Sequence, residues 1–175
     1  MRHKSEMKRI VIVVMLMFAS VGIYAGNDPE KVGQEILDLI GEYGRKDSID
    51  VFQLGSLGTA AVKTMIRTAS AFSDDKDMQD AMKVFKGIRR IAVVDYSRCE
   101  DAVRDSFERR LGRLLKDCEM LGEAKDGDDE MCMYGVYDEK SENVSNFILH
   151  CKSDCALVCL FGTIKLDAIA DVVSE

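Results

Sequence analysis

The spacing of apolar residues changes along the chain from a helical period to a strand period, and this change predicts the order of the elements. Up to about residue 118, most apolar residues recur three or four positions apart, as they do on one face of a helix. This spacing predicts helices over residues 29–43, 56–72, 78–85 and 97–118. Segments rich in β-branched or alternating apolar residues predict strands over residues 48–54 and 88–95.

Two of the helix starts carry additional sequence signals. Asp28 precedes Pro29, which combines a preferred N-cap residue with the proline that helices favour in their first turn. Ser97 is followed three residues later by Glu100, which is the spacing of a capping box. These signals predict where the first helix and the helix that ends near Cys118 begin.

Four short apolar runs in the last third of the chain have a period of two and are separated by short polar segments. They cover residues 120–124, 131–137, 147–151 and 155–161. Strands joined by such short connections pair antiparallel, so we predict a meander and, packed on it, a last helix from Lys165 to Val173. The predicted fold is a single α+β domain over residues 26–175, with a mixed sheet whose C-terminal part is an antiparallel meander packed on helices.

The N-terminus has the parts of a secretory signal peptide. Basic residues among the first nine positions precede an apolar run from Ile10 to Ser20, and a small residue follows at Ala25. We therefore predict that residues 1–25 are a signal peptide and that the protein is exported, periplasmic or extracellular. The apolar run is short for a transmembrane helix, and we expect no stable membrane span after cleavage.

The charge of the exported part narrows the choice of partners. Residues 1–25 contain four of the 24 Lys and Arg and one of the 31 Asp and Glu, so the net charge changes from −7 for the chain to −10 for the remainder. A domain this acidic repels phosphate backbones, which argues against nucleic acid as a partner. We expect the partner to be a protein or a small ligand in the cell envelope.

The hairpin over residues 144–161 contains the residues best suited to chemistry. His150, Cys155 and Cys159 are ligand types that could hold a metal such as zinc. Successive strand residues point to opposite faces, so a two-residue turn at Ser153 and Asp154 would separate Cys151 from these three. One face would then be wholly apolar, and we predict that this face packs in the core. Its members are Phe147, Leu149, Cys151, Ala156, Val158 and Leu160.

Three interpretations of the hairpin cysteines follow from its turn. In the first, which we favour, they are buried thiols that pack as small apolar residues. In the second, a three-residue turn places Cys151 opposite Cys155, where they could form a disulfide or a redox-sensing pair. In the third, His150 binds a metal together with Cys155 and Cys159. The acidic segment Asp126–Glu130 lacks the glycine and glutamate positions of an EF-hand loop and is better explained as a hairpin turn.

No recognised catalytic motif accompanies these residues. The chain has no phosphate-binding glycine loop, nucleophile elbow or helical zinc-protease motif, and His150 is the only histidine outside the predicted signal peptide. We therefore predict a non-catalytic binding or interaction module without a cofactor, acting through the open face or edge of its sheet. The alternative is a metal- or thiol-dependent protein that uses His150 with Cys155 or Cys159.

Two segments, together with the exported start, resemble a known family. They are Glu42–Val51, before the second helix, and Leu160–Ile169, near the end of the chain. They are similar to the Bacteroidetes family catalogued as domain of unknown function 4252. The resemblance implies an exported or lipid-anchored envelope protein and carries over no catalytic residues.

Overall fold

The computed structural model describes residues 28–46, 48–71, 85–126 and 129–166. The predicted signal peptide and most of the predicted helix over residues 78–85 lie outside the described residues. The described helices are α1 (Pro29–Tyr43), α2 (Ser56–Ala71) and α3 (Asp101–Leu114), the last continued by a 3₁₀ turn, Leu115–Asp117. The strands are β1 (Asp50–Leu54), β2 (Ile88–Asp95), β3 (Glu119–Asp126), β4 (Asp129–Asp138), β5 (Asn143–Cys151) and β6 (Ala156–Lys165).

The strands form a six-stranded sheet in the order β1-β2-β6-β5-β4-β3. The α+β class and the C-terminal meander are confirmed. Every strand pairing among the described residues is antiparallel, so the prediction of a mixed sheet was wrong in this respect. The cause is the position of β6, which returns beside β2 and pairs with it antiparallel instead of adding a parallel strand. No helix in the described part of the chain combines the length and the hydropathy needed to cross a membrane.

The first helix begins as its sequence predicts. The backbone N–H of Glu30 donates to the Asp28 side chain at 3.0 Å, and Pro29 occupies the first turn. The capping box at Ser97 was a wrong prediction, because Asp95 accepts hydrogen bonds from both the backbone N–H and the hydroxyl of Ser97. Residue Glu100 is the N-cap of α3 instead, without a side-chain hydrogen bond to the helix.

The last strand is longer than the sequence pattern predicts. Strand β6 runs through Lys165, where we predicted the start of a helix; Leu166 is helical, and residues 167–173 of the predicted helix lie outside the described residues. The extension depends on Gly162, whose φ of 135° belongs to a region that side chains rarely adopt. Gly87 approaches the same place so closely that a Cβ on it would lie 1.6 Å from the Thr163 carbonyl oxygen. These two glycines let β6 continue beside the start of β2.

The core lies on the sheet face that carries His150, which reverses the prediction. Helices α1 and α3 cover this face, and their apolar side chains form one cluster with those of the sheet. Its buried strand residues include Val94, Leu157, Cys159, Phe161, Ile148, His150 and Cys132. The face formed by Phe147, Leu149, Cys151, Ala156, Val158 and Leu160 is only half-buried. The strand pairing of the last hairpin and the division of its residues between two faces were predicted correctly. Helices α1 and α3, however, pack on the face opposite to the one predicted.

Two aromatic contacts fix the position of α3 on this face. Phe107 is fully buried and packs edge-on against Tyr43 of α1, with ring centroids 5.2 Å apart. Its ring also lies 4.9 Å from that of Tyr96, which follows β2. Phe107 therefore joins α1, α3 and the end of β2, and the neighbouring residues of α3 are held close to strands β4 and β5.

Candidate functional site

A groove lies between the C-terminal half of α3 and strands β4 and β5. Its volume is about 380 Å³. The helix side contributes Glu108 and Lys116, and the sheet side contributes Tyr134, His150 and Lys152. The groove is therefore lined by one carboxylate, two lysine ammonium groups, one phenol and one imidazole, together with some apolar surface. We take it as the candidate functional site.

His150 lies at the floor of this groove because its strand parity turns it toward the helices. Its side chain is only 6% exposed. Its Nε2 atom is hydrogen-bonded to the Tyr96 hydroxyl at 2.8 Å, and this bond fixes the orientation of the ring. Burial lowers the pKa of His150 to about 4, helped by the positive charge of Lys152 and opposed by Glu130. The imidazole is therefore neutral at physiological pH.

Tyr96, the hydrogen-bond partner of His150, is itself held in place by the core and by the last hairpin. Its ring is fully buried, and its backbone N–H donates to the Cys155 carbonyl at 2.9 Å. Burial raises the pKa of its hydroxyl, and the nearby carboxylate of Glu108 raises it further. Tyr96 is thus a neutral hydrogen-bonding group that links the groove floor to the turn of the last hairpin.

Beside the groove, a cluster of polar side chains lies at the edge of the sheet next to His150. Cys132 of β4 faces His150 of β5 in the pairing register and is 1% exposed. Its thiol donates to Glu130 Oε1 at 3.5 Å, and Glu130 also forms an ion pair with Lys152. The ligand atoms of Glu123, Glu130 and Cys132 all lie within 4.8 Å of one another. Thiol, carboxylate and ammonium groups therefore meet in one small volume.

The protonation of this cluster follows from its contacts. The hydrogen bond to Lys152 lowers the pKa of Glu130, and the same bond raises the pKa of Lys152, so both remain charged. Burial raises the pKa of the Cys132 thiol. Burial also raises the pKa of Tyr134 to about 12. The thiol and the phenol are therefore protonated at neutral pH.

Of the residues predicted as metal ligands, only His150 lies in the site. Cys159 is fully buried opposite Ile148, and burial raises the pKa of its thiol. Cys155 packs beside the core at the hairpin turn. Among the described residues, the three do not form a group of close ligand atoms, whereas Glu123, Glu130 and Cys132 do.

The turn of the last hairpin has the two-residue form. The backbone N–H of Cys155 donates to the Lys152 carbonyl at 3.2 Å across Ser153 and Asp154. Cys151 accordingly pairs with Ala156, not with Cys155. All six cysteines have free thiols in this structure.

Sequence reasoning missed most of the groove. Glu108, Lys116 and Tyr134 lie on three different elements, and nothing in the spacing of their types connects them. The pairing of Cys132 with His150 was equally hidden, because it depends on a register shift between Tyr134 and Val136. The acidic turn after β3 was correctly interpreted as a hairpin, since Asp126 pairs with Asp129. Its last residue, Glu130, nevertheless belongs to the site.

The fold and the groove define a class: an α+β domain whose antiparallel sheet carries helices α1 and α3 on one face, with a polar groove at the helix–sheet boundary. The chain belongs to the family described as Domain of unknown function (DUF4252), which matches residues 43–172. The matched segment contains the groove and all six strands. Neither a curated protein nor a solved structure gives a significant match to the chain.

Proposed function

We propose that this protein is an exported, non-catalytic binding module of the cell envelope that holds a small polar ligand in the groove between α3 and strands β4 and β5. The observation that carries the proposal is the groove itself. Its volume of about 380 Å³ falls within the range of roughly 300–1,000 Å³ that is typical of ligand pockets. A few polar groups converge on it, as they do in pockets that orient a ligand.

The protonation of the groove favours binding over acid–base catalysis. A catalytic acid or base has a pKa near the working pH, because it must both take up and release a proton. Here the pKa of His150 is lowered to about 4 and that of Tyr134 is raised to about 12, so both move away from neutrality. Cys132 is likewise a protonated thiol and not a nucleophilic thiolate. These groups are suited to hydrogen bonding with fixed donor and acceptor roles.

The charges of the groove suggest the class of ligand. Glu108 and Lys116 project from the same wall, so one ligand could meet a carboxylate and an ammonium at once. Tyr134 and the neutral His150 add uncharged hydrogen-bonding groups on the sheet side of the groove. This combination fits a small zwitterion, such as a free amino acid or a short peptide. The acidity of the domain supports the exclusion of nucleic acid.

A thermal-shift panel of amino acids and dipeptides tests the groove. A ligand present at one hundred times its Kd should stabilise the protein by about 2.7 kcal/mol and raise the Tm by about 5–10 °C. Replacing Tyr134 by phenylalanine removes one hydrogen bond and should weaken binding about three- to tenfold in calorimetry. The matched control is Tyr137→Phe, since Tyr137 is on the same strand but does not line the groove. A panel without a stabilising zwitterion, or equal effects of the two variants, would contradict the proposal.

Export is a separate part of the proposal and rests on the N-terminal sequence. Protein recovered from the periplasm or medium of its native host should begin at Gly26, because cleavage is expected after the small residue Ala25. N-terminal sequencing or intact mass measurement checks this. Replacing Ala25 by arginine should leave the uncleaved chain in the membrane fraction. A chain that keeps Met1 and remains in the cytoplasm would show that the segment is not a signal peptide.

The alternative function, a metal- or thiol-dependent protein that uses His150 with Cys155 or Cys159, has less geometric support. Cys159 is sealed in the core opposite Ile148, and Cys155 lies at the hairpin turn, with its backbone bonded to Tyr96. His150 directs Nε2 to Tyr96 and so contributes hydrogen bonding to the groove.

A further inference from the structure

Three metal-ligand side chains meet at the edge of the sheet, and none of them is among the three that the sequence suggested, His150, Cys155 and Cys159. Glu123 of β3 pairs with Cys132 of β4, and Glu130 lies two positions before Cys132 on the same face. Their two carboxylates and one thiol lie within 4.8 Å of one another. The three side chains project from a two-stranded hairpin, whose backbone fixes the distances between them.

The surroundings of these side chains favour a cation. The two carboxylates are partly exposed, so a cation can reach them from solvent, and Cys132 beside them is almost fully buried. The Lys152 ammonium already lies against Glu130 and partly neutralises the pair. Lys125 is exposed and pairs with Glu130 across the hairpin, at the rim of the cluster. With Lys152 counted, the two carboxylates leave one net negative charge, and the exposed Lys125 opposes it from the rim.

We propose that Glu123, Glu130 and Cys132 form a binding site for Zn²⁺. A thiolate combined with carboxylates matches the borderline softness of zinc and is a poor match for Mg²⁺ or Ca²⁺, which prefer oxygen ligands alone. On binding, the S–H bond of Cys132 breaks, an S–Zn bond forms and the proton is released to solvent. Two carboxylates, one thiolate, the Lys152 ammonium and one Zn²⁺ then sum to zero charge. Three protein ligands leave a fourth position for water.

This site has no ligand in common with the groove proposed to bind a zwitterion, so the two proposals can be tested separately. None of the three ligands lines the groove, although Lys152, which is ion-paired with Glu130, does, so the metal would border the groove without occupying it. Zinc binding can therefore be present when no zwitterion binds, and the reverse also holds. The variants that test the two proposals are different, and each can fail alone.

Zinc titration of the purified, fully reduced protein tests the site. We expect one equivalent of Zn²⁺ to bind, measured by calorimetry and by competition with a chromophoric chelator. Cys132→Ser and Glu123→Gln should each weaken binding at least about 100-fold, because each removes a direct ligand. The matched controls are Cys151→Ser, a meander thiol on the opposite face, and Glu139→Gln, an exposed acid, and both should bind as the wild type does. Circular dichroism of Glu123→Gln, which changes a partly buried edge residue, checks that the fold is kept.

Two further measurements separate this site from binding at the other five cysteines. Co²⁺ in place of Zn²⁺ should give a thiolate-to-metal charge-transfer band that disappears in Cys132→Ser and persists in Cys151→Ser. Lys152→Met should strengthen zinc binding about tenfold, since the ammonium competes for Glu130. The proposal is overturned if zinc does not bind, if Cys132→Ser binds as tightly as the wild type, or if Lys152→Met weakens binding.

Discussion

Replacing Phe107 by alanine is expected to lower the free energy of unfolding by about 4 kcal/mol, which is typical of a large-to-small change at a buried aromatic residue. The ring is fully buried and touches Tyr43 on one side and Tyr96 on the other. Its removal leaves a cavity where α1, α3 and the end of β2 meet. Tyr96 would also lose the packing that holds its hydroxyl against His150, so the groove should loosen together with the core.

Urea unfolding followed by circular dichroism measures this loss. The matched control is Arg109→Ala, which changes an exposed residue two positions along the same helix and should alter stability by no more than about 0.5 kcal/mol. Equal stabilities of the Phe107 and Arg109 variants would mean that Phe107 does not carry the contact between the helices and the sheet.

The order of the elements could be predicted from the sequence because each one depends on local signals. Helix α1 has both its cap and its apolar stripe, and strand β2 was predicted with its observed limits. The register of the last hairpin was also predictable, since a two-residue turn leaves only one pairing of Cys151 with Ala156. Periodicity and turn length act over a few residues, and both are visible in a single sequence.

The choice of the buried face could not be predicted in the same way. Both faces of the last hairpin are rich in apolar residues, and a histidine among cysteines looks better suited to the outer face. His150 is nevertheless buried, because Tyr96 supplies its hydrogen bond from 54 positions earlier in the chain. A partner this distant leaves no local trace, and a satisfied polar group costs little to bury.

The groove and the edge cluster were hidden for a related reason. The pairing of Cys132 with His150 depends on a register shift, at which one strand gains a residue relative to its neighbour, whereas its pairing with Glu123 follows in unbroken register from the turn between Asp126 and Asp129. Such a shift changes which side chains share a face beyond it. Local competition had the same effect at Ser97, where the Asp95 side chain took the hydrogen bonds that a capping box needs.

Lowering the pH from about 7 to 4 is expected to remove about 3 kcal/mol of stability through His150 alone. Its pKa in the folded protein is about 4, below its ordinary value of 6.5, because the buried ring resists taking a charge. Between these two values the unfolded chain binds more protons than the folded one, so stability rises with pH. The stability associated with a neutral His150 is therefore complete above about pH 6.5 and is lost as the pH falls to about 4. Below about pH 4, His150 is protonated in the folded protein as well, and the loss stops growing.

The His150→Gln variant isolates this effect, since an amide can bond to Tyr96 but does not titrate. Urea unfolding of both proteins at several pH values should give a slope for the wild type that the variant lacks between pH 6.5 and 4. Some carboxylates, such as those of Glu42, Asp95 and Asp138, have pKa values lowered by their hydrogen bonds. Their protonation at still lower pH removes stability from both proteins alike. Because the slopes against pH are compared, any pH-independent loss of stability caused by the substitution itself cancels. Parallel stability curves would show that His150 is not held neutral by its burial, and the fixed hydrogen-bonding role assigned to it in the groove would fall with that result.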